Sequence, residues 1–279
     1  EFRRVLFRSE MERDFRPLAF TSNGEAEGDV VFAGYGLMVP GKAGEGYDSY
    51  AGLDVSNKVV LVLRYVPEEV EAKRRQELNR YAGLRYKALL ARNRGARALL
   101  VVTGPTSPNA GELARLTFET GVSHSGIVAA SISGETAAAL FRSAGRDLKK
   151  VQAALDKEDP HAEGAFALRG VRARVAAGVD HIKKADRNVL AHIPPVGTDE
   201  YVMIGAHYDH LGRGETGGFA RKDEEGRIHP GADDNASGTS VLLELAGALG
   251  HEFSAATQPP GFRRGVLVSA WSGEEIGLI

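Results

Sequence analysis

Histidine and acidic side chains recur at three places in the last third of the sequence, each beside a run of apolar residues. One pair follows the run YVMIGA, a second precedes TSVLLELAGALG, and a third follows GVLVSA. The pairs are His207 and Asp209, Asp233 and Asp234, and Glu274 and Glu275. Imidazole and carboxylate groups are the ligands of hydrolytic zinc sites where cysteine is absent, and this sequence contains no cysteine. Metal-assisted hydrolysis is therefore a chemistry that these residue types support.

Each pair alone has an ordinary structural explanation. A His-x-Asp sequence at a strand end is typical of a hydrogen-bonded surface pair, two adjacent aspartates suit a helix cap, and two glutamates suit the first turn of a helix. The three pairs together favour a different interpretation, because the carboxyl ends of parallel strands lie at one edge of a sheet. Several carboxylates gathered there repel one another unless a cation is bound. We therefore predict a metal site at that edge.

The elements that must position these residues are predicted as strands that alternate with helices, which is typical of an α/β fold with a parallel sheet. In the second region the predicted strands are ALRGVRARVAAGVD, NVLAHIP, YVMIGAHYDH and RRGVLVSAWSGEE, with a helix from about Gly238. In the first region they are DVVFAGYG, KVVLVLRYV, ARALLVVTG and SGIVAASIS. One basic amphipathic helix, capped by Gly95, separates the second of these strands from the third.

The chain is divided at the polar stretch EDPHAEG, residues 158–164. Residues 28–164 are predicted as a first α/β domain, with 10–27 as its lead-in, and residues 165–279 as part of a second domain that carries the three pairs. Residues 1–9, EFRRVLFRS, look like the translation of a sequencing adapter, so we expect them to be non-native.

Composition excludes several classes of protein. The chain has 279 residues, of which 43% are hydrophobic and 26% charged, with a formal net charge of −2. A near-neutral chain lacks the basic character of most nucleic-acid binders, and the basic stretch KRRQELNRYAGLRYKALLARNRGAR is interpreted as a solvated helix face. No run of about 18 apolar residues exists, so no transmembrane segment is predicted.

The motifs GAHYDHLG, HPGADDNASG and AWSGEEIGL resemble those of the co-catalytic zinc exopeptidases of metallopeptidase family 28, which include aminopeptidases. The stretches VVFAGYG, YDSYAGLDVSNKVVLVLR and IVAASISGETAAAL are similar to the protease-associated domain inserted in many of these enzymes. The resemblance implies a mainly parallel, mixed sheet flanked by helices, with an inserted α/β protease-associated domain. It also implies secretion or periplasmic residence.

Carried over by position, the resemblance assigns roles to five residues. His207 is expected to bind one zinc ion, Glu275 the other, and Asp234 both. Asp209 is expected to orient His207, and Glu274 to act as the general base that takes a proton from water.

The neighbours of these residues have expected roles as well. Asp233 is then an adjacent acid, and Asn235 follows Asp234 through a cis peptide bond. Asn235 and Ser237 are expected to cap the following helix.

The implied activity is hydrolysis of N-terminal peptide bonds of peptides or proteins, with two zinc ions as cofactors. Family members carry one more acidic ligand and one more histidine ligand after the GEE motif, and this sequence ends before either. Each ion would keep two of three protein ligands, so we expect this chain by itself to have little or no activity.

Two other functions remain open. A receptor-like relative with the same fold would bind a peptide or protein without cleaving it, and a glutaminyl cyclase relative would transfer an acyl group. Retention of Glu274 and of the three ligands favours the peptidase. The stretch GRGETG, residues 212–217, matches G-x-G-x-x-G but continues as a polar loop, so a dinucleotide site is not predicted. His210 and His229 are candidates for substrate contact.

Overall fold

The computed structural model of the chain describes residues 9–41, 46–116, 124–158, 163–180, 185–214, 226–254 and 264–276. These residues belong to two compact units, which divide between Asp180 and His181. Residues 1–8 of the adapter-like stretch lie outside the described residues.

The first unit is built around a mixed, mainly parallel sheet. Its strands are β1 (Phe15–Pro17), β2 (Gly24–Ala33), β3 (Met38–Val39), β4 (Tyr47–Asp48), β5 (Val59–Leu63), β6 (Ala98–Val102), β7 (Val128–Ile132) and β8 (Ala165–Ala177). Its helices are α1 (Ala72–Asn79), α2 (Leu84–Asn93), α3 (Gly134–Ser143) and α4 (Leu148–Leu155). Six strands form one sheet in the order β1-β7-β6-β5-β2-β8, and β3 pairs with β4. The four inner strands run parallel, and the two edge strands pair antiparallel with them.

Both faces of this sheet are buried, as the alternation of side chains along β5 shows. Val59, Leu61 and Leu63 belong to the apolar core on one face, together with residues of α3 and α4. Val60 and Val62 belong to the core on the opposite face, together with residues of α2. Parallel strands covered on both faces read as continuous apolar runs, and this is the pattern that predicted them. The α/β class predicted from the sequence is confirmed by these helices and this mainly parallel sheet.

The boundary between the units differs from the one that the sequence predicts at residues 158–164. Strand β8 pairs antiparallel with β2, from Ala165 opposite Ala33 to Ala177 opposite Gly24, and so belongs to the sheet of the first unit. The predicted lead-in, residues 10–27, likewise contains β1 and the start of β2. An alternating pattern predicts that a segment forms a strand but does not identify the strand with which it pairs.

The single basic helix predicted between β5 and β6 is two helices. Helix α1 ends at Asn79, and α2 begins at Leu84 after Gly83, whose backbone is extended with φ −54° and ψ 131°. The predicted cap at Gly95 is present, since this residue has φ +82° and its N–H donates to the carbonyl of Arg92 at 2.9 Å.

The second unit has a smaller sheet with one long helix. Its elements are β9 (Val189–Ile193), β10 (Tyr201–His207), α5 (Gly238–Ser254) and β11 (Gly265–Trp271). The strand order is β10-β11-β9, with β10 parallel and β9 antiparallel to β11. Several of its apolar side chains are more than half exposed, namely Val189, Leu190, Met203, Val241 and Leu243. Among the helices in the described part of the chain, none combines the length and apolar character needed to cross a membrane.

A lysine lies inside the core of the first unit. Lys87 on α2 is fully buried, and its ammonium group donates to the main-chain carbonyls of Leu63 at 2.9 Å and Tyr65 at 2.7 Å. Burial lowers the pKa of Lys87 to about 7, and the positive charge of Arg64 acts in the same direction.

Lys87 should make the stability of the chain depend on pH between 7 and 9. An unfolded lysine, with a pKa of about 10.4, binds more protons than folded Lys87 in this range, so the free energy of unfolding should rise with pH. The slope from this group is at most about 1.4 kcal/mol per pH unit. Urea unfolding followed by circular dichroism should show the rise in the original chain and in Lys149→Met, whose lysine is exposed. It should be absent from Lys87→Met, and an identical pH dependence in the two variants would contradict this assignment.

Candidate metal centre

The candidate site lies where two parallel strands end at the same level. Strand β10 pairs with β11 in unbroken register, from Tyr201 opposite Gly265 to His207 opposite Trp271. The residues that follow each strand therefore leave the sheet at one edge, as the sequence predicts. Helix α5, which begins at Gly238, packs against β10.

The side chain of His207 is at the centre of the polar groups at this edge. Its Nε2 atom lies 3.0 Å from Oδ1 of Asp234 and 3.8 Å from Oε2 of Glu274. Its Nδ1 atom is 3.1 Å from the main-chain oxygen of Asp209, a distance that fits donation from Nδ1–H. The main-chain oxygen of His207 accepts a hydrogen bond from the hydroxyl of Thr239 at 2.8 Å, which ties the first turn of α5 to the end of β10. This arrangement leaves Nε2 as the nitrogen that faces Asp234 and Glu274.

Three of the predicted residues are close enough to share one metal ion. One donor atom from each of His207, Asp234 and Glu275 lies within 4.8 Å of the other two. Two more carboxylates, those of Asp209 and Glu274, lie within 4 Å of a ring nitrogen of His207. The negative charges of these four carboxylates repel one another, and a divalent cation bound among them would reduce that repulsion. Nitrogen and oxygen donors of this kind suit zinc, so the residues fit the metal that the resemblance implies.

The acidic pair before α5 lies in an irregular turn, Ala232–Ser237. Asp234 has non-helical dihedral angles (φ −116°, ψ 91°), and the peptide bond between it and Asn235 is cis. The predicted cap is present for Asn235, whose side-chain oxygen accepts the N–H of Gly238 at 3.1 Å. Ser237 does not cap the helix in this way, because its hydroxyl donates to the main-chain oxygen of Asp233 at 2.7 Å.

The carboxylate of Asp209 accepts hydrogen bonds from main-chain amides rather than from the ring of His207. This carboxylate is 3.7 Å from Nδ1 of His207, and it accepts the main-chain N–H groups of Glu274 at 3.3 Å and Glu275 at 3.4 Å. The next residue, His210, contacts Glu275 through Nδ1 and Oε1 at 2.5 Å. The segment after β10 therefore contacts both glutamates that follow β11.

A second set of polar contacts at this edge was not predicted from the sequence. The carboxylate of Asp186 accepts the hydroxyl of Ser272 at 2.5 Å. The hydroxyl of Tyr208 lies 3.1 Å from this carboxylate and 2.6 Å from the main-chain oxygen of Arg187. Asn188 accepts the N–H of Ser272 at 3.0 Å. The bond from Ser272, with those from the amide of Arg187 and from Tyr208, holds the pKa of Asp186 below its usual value. An isolated acid in the polar stretch KKADRN carries no motif or periodicity that would have identified it.

The two regions of the chain match known families. Residues 188–279 match the family model described as Peptidase family M28, and residues 26–140 match the model described as PA domain. Residues 188–279, called the M28 segment below, are therefore similar to this peptidase family. The M28 segment thus contains all five residues to which the resemblance assigns a role, and the PA domain lies within the first unit.

Curated relatives of the chain carry aminopeptidase names. A probable leucine aminopeptidase of Arthroderma otae is 39% identical over 93 residues, which are 33% of this chain and 22% of that protein. Aminopeptidase NAALADL1 of Mus musculus is 35% identical over 97 residues, 34% of this chain and 10% of that protein. A probable lipoprotein aminopeptidase, LpqL, of Mycobacterium tuberculosis is 30% identical over 118 residues, 41% of this chain and 19% of that protein. The matches therefore span less than a quarter of the length of these relatives.

Solved aminopeptidase structures align with 95% of the chain. An aminopeptidase from Aneurinibacillus sp. strain AM-1 does so with a TM-score of 0.43 and 20% identity, over 48% of that chain. BSAP, a zinc aminopeptidase from Bacillus subtilis, does so with a TM-score of 0.37 and 19% identity, over 46% of that chain.

The remaining histidines fall at different places. His192 lies on β9 and His251 on α5, while His161 and His181 lie outside the described residues. His210 contacts Glu275, and the ring of His229 lies 6.5 Å from that of His210; contact of either with substrate stays a prediction. Of the stretch GRGETG, the structure describes residues 212–214.

Gly231 allows two functional segments to approach each other. It has φ +60°, and a Cβ atom there would lie 2.7 Å from the ring of His210 and 2.9 Å from the main-chain oxygen of Asp234. Neither the backbone conformation nor the space admits a larger residue without a shift.

We expect Gly231→Ala to destabilise the M28 segment by about 1–3 kcal/mol, because of the left-handed backbone and the displaced neighbours. The matched control is Gly247→Ala on α5, where a Cβ atom would meet nothing within 4 Å. The control should be neutral or up to about 1 kcal/mol more stable. The fluorescence of Trp271, the only tryptophan of the chain, reports unfolding of this segment in urea. Equal midpoints for the two variants would contradict the role given to Gly231.

Proposed function

We propose that this chain is part of a zinc aminopeptidase and that His207, Asp234 and Glu275 are metal ligands. The observation that carries the proposal is the meeting of these three donors within 4.8 Å, at the shared end of two parallel strands, in a segment that is similar to family M28. Because the chain spans only a fraction of its relatives, the activity is proposed for a protein that contains the whole catalytic domain.

The distances support zinc as the ion. Bonds of about 2.0–2.2 Å from zinc to nitrogen and oxygen place two donors of a tetrahedral site roughly 3.4 Å apart. The 3.0 Å between Nε2 of His207 and Oδ1 of Asp234 is near this value, so these two donors fit one ion, and a donor atom of Glu275 lies within 4.8 Å of both. We propose two ions in the whole domain, one of which His207 would hold and the other Glu275. Asp234 would be a ligand of both, because a carboxylate has two oxygens and this one is 67% exposed.

When bound, zinc would polarise the carbonyl of the scissile bond and lower the pKa of the attacking water. Glu274 would take the proton from this water and return it to the nitrogen of the leaving amine. Its carboxylate suits this task, since Oε2 lies 3.8 Å from Nε2 of His207 and the side chain is 46% exposed. The lone pair on Nε2 of His207 would bind the metal, because Nδ1 carries the proton and donates it to the main-chain oxygen of Asp209.

The substrate that we propose is the N-terminal end of a peptide or protein, which corresponds to the activity named for the curated relatives. The name of one relative, a lipoprotein aminopeptidase, supports residence outside the cytoplasm. A peptide-binding protein without catalysis would have no need of Glu274 beside the metal donors, and no observation favours that alternative.

Zinc titration of the chain tests the ligands directly. We expect His207→Ala, Asp234→Ala and Glu275→Ala each to weaken zinc binding by more than about 10-fold, since loss of even an outer partner has an effect of this size. The control is His192→Ala, which removes an exposed histidine on β9. Competition with a chromophoric chelator measures the affinity. If the control weakened binding as much as the three ligand variants, the ion would not be bound at this site.

Glu274→Gln separates catalysis from metal binding. In a protein with the whole catalytic domain, we expect this change to lower kcat for aminoacyl p-nitroanilides by about 100- to 10,000-fold, because the amide cannot accept a proton. Zinc content measured by atomic absorption should stay the same, because Glu274 is not one of the proposed ligands. Activity close to that of the original enzyme would remove Glu274 from the mechanism.

A further inference from the structure

The turn that carries Glu274 and Glu275 is bonded to the segment after the neighbouring strand. Each carboxylate oxygen of Asp209 accepts one amide of this turn, Oδ1 that of Glu274 and Oδ2 that of Glu275. The main-chain oxygen of the same residue is 3.1 Å from Nδ1 of His207. One residue therefore contacts the imidazole, the base and a carboxylate ligand of the proposed centre.

A second acid holds the beginning of the same turn. Asp186 accepts the hydroxyl of Ser272 through Oδ2. The hydroxyl of Tyr208 lies 3.1 Å from Oδ1 of Asp186 and 2.6 Å from the main-chain oxygen of Arg187, so residues 186–187 contact the residues that directly follow β11 and β10. Asn188 adds a bond to the N–H of Ser272 at 3.0 Å. Contacts of Asp209 and Asp186 therefore join the segment that follows β10 to the segment that follows β11.

Neither acid belongs to the group of donors that lie close enough together to hold one ion, which among the described residues is His207, Asp234 and Glu275. Both oxygens of Asp209 are engaged with main-chain amides, and its side chain is 19% exposed. Oδ2 of Asp186 accepts the hydroxyl of Ser272, and Oδ1 accepts the main-chain N–H of Arg187 at 2.8 Å. These two carboxylates differ from that of Asp234, which is largely exposed beside His207.

We propose that Asp209 and Asp186 are positioning residues that fix the turn Ser272–Glu275 against the end of β10, and thereby set where Glu274 and Glu275 lie relative to His207. The roles of Glu274 as base and Glu275 as metal ligand rest on the proposed function, whereas the hydrogen bonds of Asp209 and Asp186 do not. Strand pairing ends at His207 and Trp271, so these side chains provide the order that the sheet no longer provides beyond that point.

Hydrogen exchange of the main-chain amides in the metal-free chain tests the bonds of Asp209. We expect exchange of the Glu274 and Glu275 amides, measured by NMR, to be about 10-fold faster in Asp209→Ala and less affected in Asp209→Asn, which keeps one acceptor oxygen. The control is Asp233→Asn, which removes the same charge beside the site, since Asp233 bonds to Ser237 through its main chain. Unchanged exchange in a folded Asp209→Ala chain would overturn the proposal for this residue.

Asp186→Ala tests the other side of the turn by the same measurement. We expect faster exchange at Ser272 and Glu274, while amides within β11 that pair with β10 keep their rates. A uniform increase throughout β11 would show a general loss of stability and would overturn the positioning role.

Metal binding then relates the turn to the proposed site. We expect zinc affinity to fall about 10- to 100-fold in Asp209→Ala, and by much less in Asp233→Asn. The absorption spectrum of bound Co²⁺ should change in Asp209→Ala, because the position of Glu275 changes. If the original chain bound zinc without involvement of His207, the proposed metal site would fail while the exchange results still decided the role of Asp209. Unaltered zinc affinity and Co²⁺ spectrum in Asp209→Ala would overturn the link to the site.

Discussion

The parallel pairing of β10 with β11 determines where every polar group of the candidate site lies. The strands are both seven residues long and pair without a bulge, so His207 and Trp271 end them at the same level. Residues that follow the two strands must then leave the sheet together, although more than 60 positions separate them in sequence. A shift of one residue in this register would turn His207 to the opposite face of the sheet and separate it from Asp234.

The acids at this edge divide into two kinds by their hydrogen bonds. Asp209 and Asp186 face amide and hydroxyl donors, which stabilise a carboxylate without neutralising its charge. Asp234 and Glu275 face imidazole nitrogens, which become cationic only when protonated. A bound cation would therefore interact favourably with Asp234 and Glu275, and less with Asp209 and Asp186, which already accept hydrogen bonds. This difference, rather than acidity alone, separates the proposed ligands from the residues that support them.

The sequence predicts the proposed metal ligands better than it predicts the residues that hold them in place. Apolar runs followed by His207 and Glu274 predict both strands and the edge at which they meet, because the order of elements and the rule for parallel sheets are sufficient for that inference. The strand with which β8 pairs cannot be inferred in this way, since its alternating apolar and polar pattern is compatible with pairing in either unit. The break at Gly83 cannot be inferred either, since the sequence is compatible with one long helix or with two, and tertiary packing determines which of them forms. The acceptor roles of Asp209 and Asp186 depend on the exact level at which the strands end.

The two units obtain their order from different sources. In the first unit, β5 is buried on both faces, and close packing of apolar side chains leaves little freedom to the strands. In the second, Leu190 and Leu243 are exposed in this chain, which spans only part of the length of its relatives. Its donors come from three segments joined at the sheet edge by hydrogen bonds such as that from Thr239 to His207. An ion held by all three segments would favour the ordered arrangement over looser ones, and metal binding and local folding would therefore be coupled at this site.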